Sequence, residues 1–233
     1  MSPAPREPSD AHGGKIRPNH DWCHPEPTFL ITGFGPFPGV PVNPSETLAR
    51  RVAGVGSWAR LGWRADTRAF RTGYGIVNAA IDDLVAAKPA PAFVVMLGVA
   101  ARAKWARVEL RAKNRVSVTH RDATSARPAS ASLMPGAETT RFGRHPGRVL
   151  VDALRKAQVP TRLSRDTGRY VCNAAYWRML GAMPKATEAV FIHIPLPAKH
   201  GIRKRDPRPT MDAMTRGITS VVRAMIARAG INR

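Results

Sequence analysis

The sequence predicts an α/β fold, a single-domain α/β/α sandwich around a twisted, largely parallel or mixed central sheet. Three observations lead there. Short apolar runs at residues 28–32, 93–97 and 189–194 are continuous rather than alternating, the pattern of strands covered on both faces. Segments of helical period stand between them, as at residues 74–87. Strand and helix signals then alternate to the end of the chain, which favours crossover connections and a sheet sheathed by helices. At 233 residues the chain is long enough to bury a core without disulfide support.

Taken in order, residues 1–27 are rich in Pro, Ser, Gly, His and charge and lack apolar periodicity. They read as a disordered tail, leaving 28–233 as the folded unit. Residues 28–32 predict a buried first strand, followed by the loop Gly33-Phe34-Gly35-Pro36-Phe37-Pro38-Gly39. Asn43-Pro44-Ser45-Glu46 opens a helix, with Asn43 as N-cap, Pro44 at the first helical position and Glu46 at the third, as in a capping box. Leu48, Ala49 and Val52 are its inward residues. Residues 63–70 predict a second strand. Residues 74–87 form an amphipathic helix with Ile76, Val77, Ala80, Leu84 and Val85 on its apolar side.

Residues 105–113 alternate, with Val108, Leu110 and Ala112 on one face and Arg107, Glu109 and Arg111 on the other, predicting one strand. Residues 116–143 lack periodicity and read as a long, partly mobile loop, of a length often tied to function. Residues 145–157 predict a helix with Val149, Leu150 and Leu154 inward. Residues 161–164 read as a strand end, Gly168 as a turn, and 174–183 as a helix stopped by Pro184. The strand at 189–194 is broken by Pro195 and Pro197, and 210–229 is a closing amphipathic helix.

Composition narrows the function. Two cysteines make no disulfide framework, so a reducing compartment, the cytoplasm, is expected. No apolar run approaches the ~18 residues that span a bilayer, and no apolar segment of a secretory signal opens the chain, so no membrane partner is expected. The net charge of +21 lies in the body, where Arg102, Lys104, Arg107, Arg111, Lys113, Arg115 and Arg121 surround a lone Glu109. Lys199, Arg203, Lys204, Arg205 and Arg208 surround Asp206 in the same way. Such charge attracts nucleic acid or acidic partners. With no helix-turn-helix, zinc finger or aromatic-interleaved motif, nucleic acid is not the expected partner, and a solvated arginine-rich surface accounts for the charge. His20, Cys23 and His24 fit no standard zinc spacing. Walker-type and GxGxxG phosphate loops are absent.

One constellation carries chemistry. Cys172 falls near a helix N-terminus, where unpaired N–H groups favour an anion and a thiol pKa is lowered. His193 stands at the end of an apolar strand, and Glu109 is the single acid among seven basic residues. A thiolate, a proton shuttle and an orienting acid are the parts of a cysteine hydrolase. Each also has a plain structural explanation: an inert buried thiol, a core histidine, a neutralising carboxylate.

Four segments add a family resemblance. Phe29-Leu30-Ile31-Thr32-Gly33-Phe34-Gly35-Pro36-Phe37 with Val42-Asn43-Pro44-Ser45 resembles the opening signature of the pyroglutamyl peptidase I (pyrrolidone-carboxylate peptidase) family of cysteine peptidases. Gly98-Val99-Ala100 with Val108-Glu109-Leu110-Arg111-Ala112-Lys113-Asn114 resembles its glutamate segment, residues 164–173 its nucleophile segment, and Phe191-Ile192-His193-Ile194-Pro195 its histidine segment. Order and approximate spacing agree over residues 28–230.

The resemblance implies an exopeptidase that hydrolyses the bond after an N-terminal pyroglutamyl residue. Cys172 would be nucleophile, His193 general base and acid, and Glu109 the group orienting His193. It implies further that Phe34 and Phe37 flank the pyrrolidone ring and that Tyr170 and Val171 line the same pocket. Asn43 either contacts substrate or only caps its helix. No metal and no organic cofactor are implied, pyroglutamyl peptides are the implied substrates, and the family's monomers and tetramers leave a homo-oligomer open. The arginine usual after the glutamate segment has lost its register, leaving Arg111, Arg115 and Arg121 as alternatives. Thr167 stands where a small alanine is usual. Two other readings are a basic nucleic-acid-binding protein on the same scaffold, and an amidase acting on another small N-acyl group.

Overall fold

The computed structural model describes residues 26–198 and 206–231. Its elements run β1 (Thr28–Phe34), α1 (Pro44–Ala53), α2 (Ser57–Arg60), β2 (Arg64–Phe70), α3 (Tyr74–Ala86), β3 (Phe93–Val99), β4 (Ala106–Glu109), β5 (Arg111–Lys113), β6 (Thr140–Phe142), α4 (Gly147–Lys156), β7 (Thr161–Ser164), α5 (Val171–Ala182), β8 (Glu188–Ile194) and α6 (Met211–Ile231). All but the last two residues of the predicted tail and most of the second basic cluster lie outside the described residues.

Six strands form one mixed sheet in the order β2-β1-β3-β8-β4-β7. Strands β2, β1, β3 and β8 are parallel, while β4 runs antiparallel to β8 and parallel to β7. The continuous apolar runs occupy the middle: every residue of β1 and β3 is buried. Strand β2 at the edge is mostly exposed, which explains its faint sequence signal.

Alternate residues of each strand feed two cores. On one face, Phe29, Ile31, Val95, Leu97, Val190 and Ile192 pack with residues of α1, α4 and α6. On the other, Leu30, Phe34, Val94, Met96 and Phe191 pack with residues of α3 and α5. Each such side chain, fully buried, is worth about 1.5–3 kcal/mol, so the pleat sets which residues can meet a site on either face. Among the described residues of the sheet, Glu109, at 0 % exposure, and His193, at 5 %, are the buried ionisable side chains. Both fall on the α3–α5 face, since their neighbours Val108 and Ile192 belong to the opposite core.

Several expectations need correction. The stretch 105–113 is not one strand: it breaks at Leu110, whose N–H donates to the Ser164 carbonyl, and β5 leaves to pair with β6 in a separate two-stranded sheet. The stretch 116–143 ends in β6 and is held by side chains. Asn114 bonds the backbone at Met134 and Ala137, and buried Asp122 bonds Thr124 and Ala126. In α4, Val149 is half exposed while Leu150, Val151 and Leu154 face inward. The helix starts at Gly147, two residues later than expected. Glu46 pairs with Arg50 at 2.8 Å and does not complete a capping box. The short α2, which seats Trp58 against Phe29, was not anticipated.

Candidate active site

The sheet register assembles the site. Gly98 on β3 lies opposite His193 on β8, and His193 lies opposite Arg107 on β4. Paired residues project to the same face, and residues two apart on one strand share it. Glu109, two residues beyond Arg107, therefore reaches His193: Nδ1 of the imidazole and Oε1 of the carboxylate are 2.8 Å apart. A carboxylate only accepts, so Nδ1–H donates and Nε2 is left to face the chemistry. The ring also leans on Phe191, 4.8 Å between centroids.

Cys172 arrives from the helix side, as the second residue of α5. Its sulfur lies 3.1 Å from the point where a Cβ on Gly98 would stand, and the Phe191 ring lies 2.7 Å from that point. Any side chain at position 98 would displace the thiol, the ring or both. The glycine at the strand end thus lets the thiol settle onto the sheet beside the histidine level.

The segment 164–173 is stapled to β5 and the residues that follow it. The Asn173 side chain accepts from Lys113 N–H at 2.9 Å and donates to the carbonyls of Lys113 and Arg115, both at 2.8 Å. Thr167 donates its hydroxyl to the Arg111 carbonyl at 2.7 Å, a use for the residue standing where alanine was expected. Arg115 pairs with Asp166 at 2.7 Å. The break at Leu110 is what frees β5 to receive these bonds.

The helix-start reading predicted a lowered thiol pKa, and the structure reverses it. Burial pushes the Cys172 thiol up to about 12, with the charge of Glu109 adding to the rise. A hydrogen bond from its own backbone amide and the charge of Arg107 oppose this without overcoming it. Desolvation outweighs the helix terminus because the sulfur is packed into the sheet. The resting Cys172 side chain is a thiol.

Arg107 is an arginine whose charge reaches this group, and sequence reasoning passed over it. Its Nε lies 3.8 Å from Glu109 Oε1. The three alternatives are engaged elsewhere: Arg111 with the Arg165 carbonyl, Arg115 with Asp166, and Arg121 with the Ser125 carbonyl. The usable signal was the i, i+2 spacing to Glu109, which puts both side chains on one face. Tyr176 and His145 were missed as well. The Tyr176 hydroxyl donates to the Glu109 carbonyl at 3.3 Å. A Cβ on Gly143 would come within 2.5 Å of that hydroxyl and 2.9 Å of His145 Nε2, so the three meet beneath the acid. Burial holds His145 down at about 4, neutral at ordinary pH.

The remaining candidates divide. Phe34 is buried between Phe70 and Phe191, at centroid distances of 5.7 and 6.3 Å, on the Cys172 face. Phe37 packs against the opposite core, so the two rings are not brought together as a pair. Tyr170 crosses Tyr74 edge-on at 6.0 Å and donates to the Arg121 carbonyl, while Val171 is wholly buried. Asn43 is the α1 cap: it accepts from Ser45 N–H and the Ser45 hydroxyl and donates to the Gly35 carbonyl. Among the described residues no three His, Cys, Asp or Glu side chains are grouped to hold a metal ion. His20, Cys23 and His24 lie outside them, and none of the described helices is long and apolar enough to cross a membrane.

Comparison with known proteins agrees in extent with this geometry. A family profile described as pyroglutamyl peptidase matches residues 28–229. Pyrrolidone-carboxylate peptidase of Thermococcus onnurineus is 34% identical over 185 residues, covering 78% of this chain and 89% of that one. The enzyme of that name from Clavibacter michiganensis subsp. michiganensis is 29% identical over 208 residues, covering 87% and 94%. The crystal structure of Bacillus amyloliquefaciens pyroglutamyl peptidase I superposes with a TM-score of 0.76 at 22% identity, covering 87% of this chain and 98% of that one, a likeness of fold. The chain therefore belongs to the pyroglutamyl peptidase family and is a peptidase of that class.

Proposed function

We propose that this protein removes N-terminal pyroglutamate from peptides with Cys172, His193 and Glu109 as its catalytic groups. The observation that carries the reading is the buried Glu109–His193 hydrogen bond set level with Gly98, over which the Cys172 sulfur lies. A thiol held near 12 does not ionise alone at neutral pH. Its proton passes to His193 Nε2 as sulfur attacks the pyroglutamyl carbonyl carbon. The resulting imidazolium is stabilised by Glu109 through Nδ1–H. The carbonyl oxygen takes the negative charge and meets backbone N–H groups at the α5 start, where no side chain caps the helix. As the tetrahedral intermediate collapses, the C–N bond breaks and the imidazolium gives its proton to the leaving amine. Water then gives a proton to His193 and attacks the thioester, releasing pyroglutamate and restoring the thiol.

The acyl group is a neutral five-membered lactam, which an apolar slot suits better than a charged one. Phe34, Tyr170 and Val171 belong with Cys172 to the apolar cluster on the α3–α5 face. Asn43 holds the loop that joins β1 to α1 through the Gly35 carbonyl, and Phe37 on that loop packs against the opposite core. Residues 28–233 form the catalytic unit in this reading. A nucleophile that must stay reduced suits the cytoplasm.

The test is release of a chromogenic amine from a pyroglutamyl amide. Wild type releases it, prior alkylation abolishes release, and Cys172→Ala loses at least about a thousandfold in kcat/KM while keeping its circular dichroism and Tm. A Cys172→Ala variant with wild-type turnover would overturn the assignment and point to Cys23 or to a different mechanism.

A further inference from the structure

The register that aligns Gly98, His193 and Arg107 continues one strand further, because Arg107 lies opposite Arg162 on β7. Across the sheet order β1-β3-β8-β4-β7, this face carries Phe34, then Cys172 over Gly98, then His193, then Arg107, then Arg162. Beyond His193 the surface opens into a cavity of about 580 Å³. Arg102, Lys104, Trp105, Arg107 and Arg162 line it together with alanines, and no acidic side chain does. Trp105 is 39 % exposed, and the Arg162 guanidinium is held 4.6 Å from its ring centroid. Among the described residues no carboxylate pairs with Arg102, Lys104 or Arg162. Arg107 both lines the cavity and approaches Glu109, so the cavity adjoins the catalytic groups.

The direction of the substrate follows from the reaction proposed above, on which this inference rests. Sulfur and the acyl group sit over β3 and toward β1. The leaving nitrogen is the atom His193 must protonate, so it sits on the β8 side of the scissile carbon. The rest of the peptide continues the same way, over β4 and β7. We propose that the Arg102–Lys104–Arg107–Arg162 cavity binds the leaving peptide and selects pyroglutamyl substrates bearing a carboxylate within one or two residues of the scissile bond. Neighbouring strands are about 4.8 Å apart, so the Arg162 backbone lies roughly 10 Å from that of His193, a gap that two residues of extended chain, about 7 Å, cross with the added length of the arginine side chain. Two sources supply that carboxylate: an Asp or Glu side chain, or the free C-terminus of a short peptide. Exposed cations act by charge more than by shape, so the selection is graded and salt-sensitive.

The experiment compares four peptides by kcat/KM with the full chain. Pyroglutamyl-Asp-Ala-amide against pyroglutamyl-Ala-Ala-amide reads the side-chain source, and pyroglutamyl-Ala with a free C-terminus against its amide reads the terminal one. At low salt at least one carboxylate substrate is expected to lead its neutral counterpart by about threefold to tenfold, and the lead shrinks in 0.5 M salt, roughly to parity. An Arg102→Gln/Lys104→Gln double variant lowers the same ratio while retaining Arg107 and the Arg162–Trp105 contact. Equal kcat/KM for both members of both pairs, with turnover intact, overturns the proposal and leaves the peptidase reading standing. Absence of turnover on all four defeats that reading and the proposal with it.

Discussion

Two helix starts in this molecule face the same loop-rich end of the sheet and are built in opposite ways. At α1 the Ser45 amide is met by a side-chain cap: Asn43 accepts from Ser45 N–H, the Ser45 hydroxyl accepts from Phe34 N–H at 2.9 Å, and Asn43 ties back to Gly35. At α5 the cap residue Tyr170 offers no side-chain bond, and its hydroxyl points away to Arg121. Helix α3 makes the contrast sharper, since its first amide is met from a distant loop, Tyr74 N–H donating to Asp122. A helix start with its own polar partners fixes backbone. One left uncapped keeps its N–H groups and dipole for an anion that forms only during reaction. Cys172, the proposed nucleophile, sits at the second kind.

The contrast is most strongly tested at Glu109. Its charge raises the Cys172 pKa, and in the proposed mechanism it has the opposite value, stabilising the imidazolium formed on His193 during reaction. Glu109→Gln is expected to cost at least about a hundredfold in kcat/KM on a pyroglutamyl amide. The same variant should be alkylated faster by iodoacetamide at a given pH, because removing a negative charge lowers the thiol pKa. In wild type, labelling of Cys172 should climb about tenfold per pH unit from pH 7 to 10 with no plateau, as expected of a thiol near 12. Mass spectrometry separates Cys172 from Cys23. A slower or unchanged rate in the variant would show that the carboxylate does not set the thiol's state.

The next effect comes from beneath the acid. His145 is buried, and its pKa falls from an ordinary 6.5 to about 4, chiefly through burial with help from the charge of Arg228. Between these values the unfolded chain binds a proton that the folded chain refuses, so stability rises with pH across the window. The contribution is whole above about pH 6.5 and is lost as pH falls toward 4, up to about 3 kcal/mol at the lower end. His145→Phe should remove that acid-side loss while leaving stability at pH 8 within about 1 kcal/mol, read from urea unfolding at pH 8, 6 and 4.5. Parallel acid profiles for the two proteins would assign the sensitivity elsewhere.

What the sequence made legible follows from how local each signal was. The buried parallel strands were plain because continuous apolar runs report burial on both faces, and the Asn43 cap was plain because it acts within two residues. Cys172, His193 and Glu109 stood out as chemistry, but only the register of β3, β8 and β4 showed that their levels coincide. The break at Leu110 was hidden because the alternation of 105–113 is unbroken; the strand divides for a tertiary reason, the pull of Asn173 and Thr167 on β5. The thiol pKa was misjudged because a helix start is visible in sequence and the depth of burial is not. Arg107 was hidden by abundance, as one of seven basic residues whose differences exist only in space.

The smallest expected effect separates the two roles that Asn43 could have. Its amide makes three bonds at 2.8–3.1 Å, all to its own loop and helix, and it is 5 % exposed. Removing an N-cap of this kind costs about 1 kcal/mol, and up to about 2 where further bonds are lost. Asn43→Ala should therefore lower the urea midpoint without changing the slope, and should lower kcat/KM by less than tenfold through loosening of the Phe34–Phe37 loop. The alkylation profile of Cys172 should not move, because nothing at the α5 start depends on this cap. The reverse outcome, a hundredfold fall in kcat/KM with the midpoint unchanged, would mean that Asn43 leaves its cap to meet the substrate. The α1 start would then belong to the chemistry as much as the α5 start does.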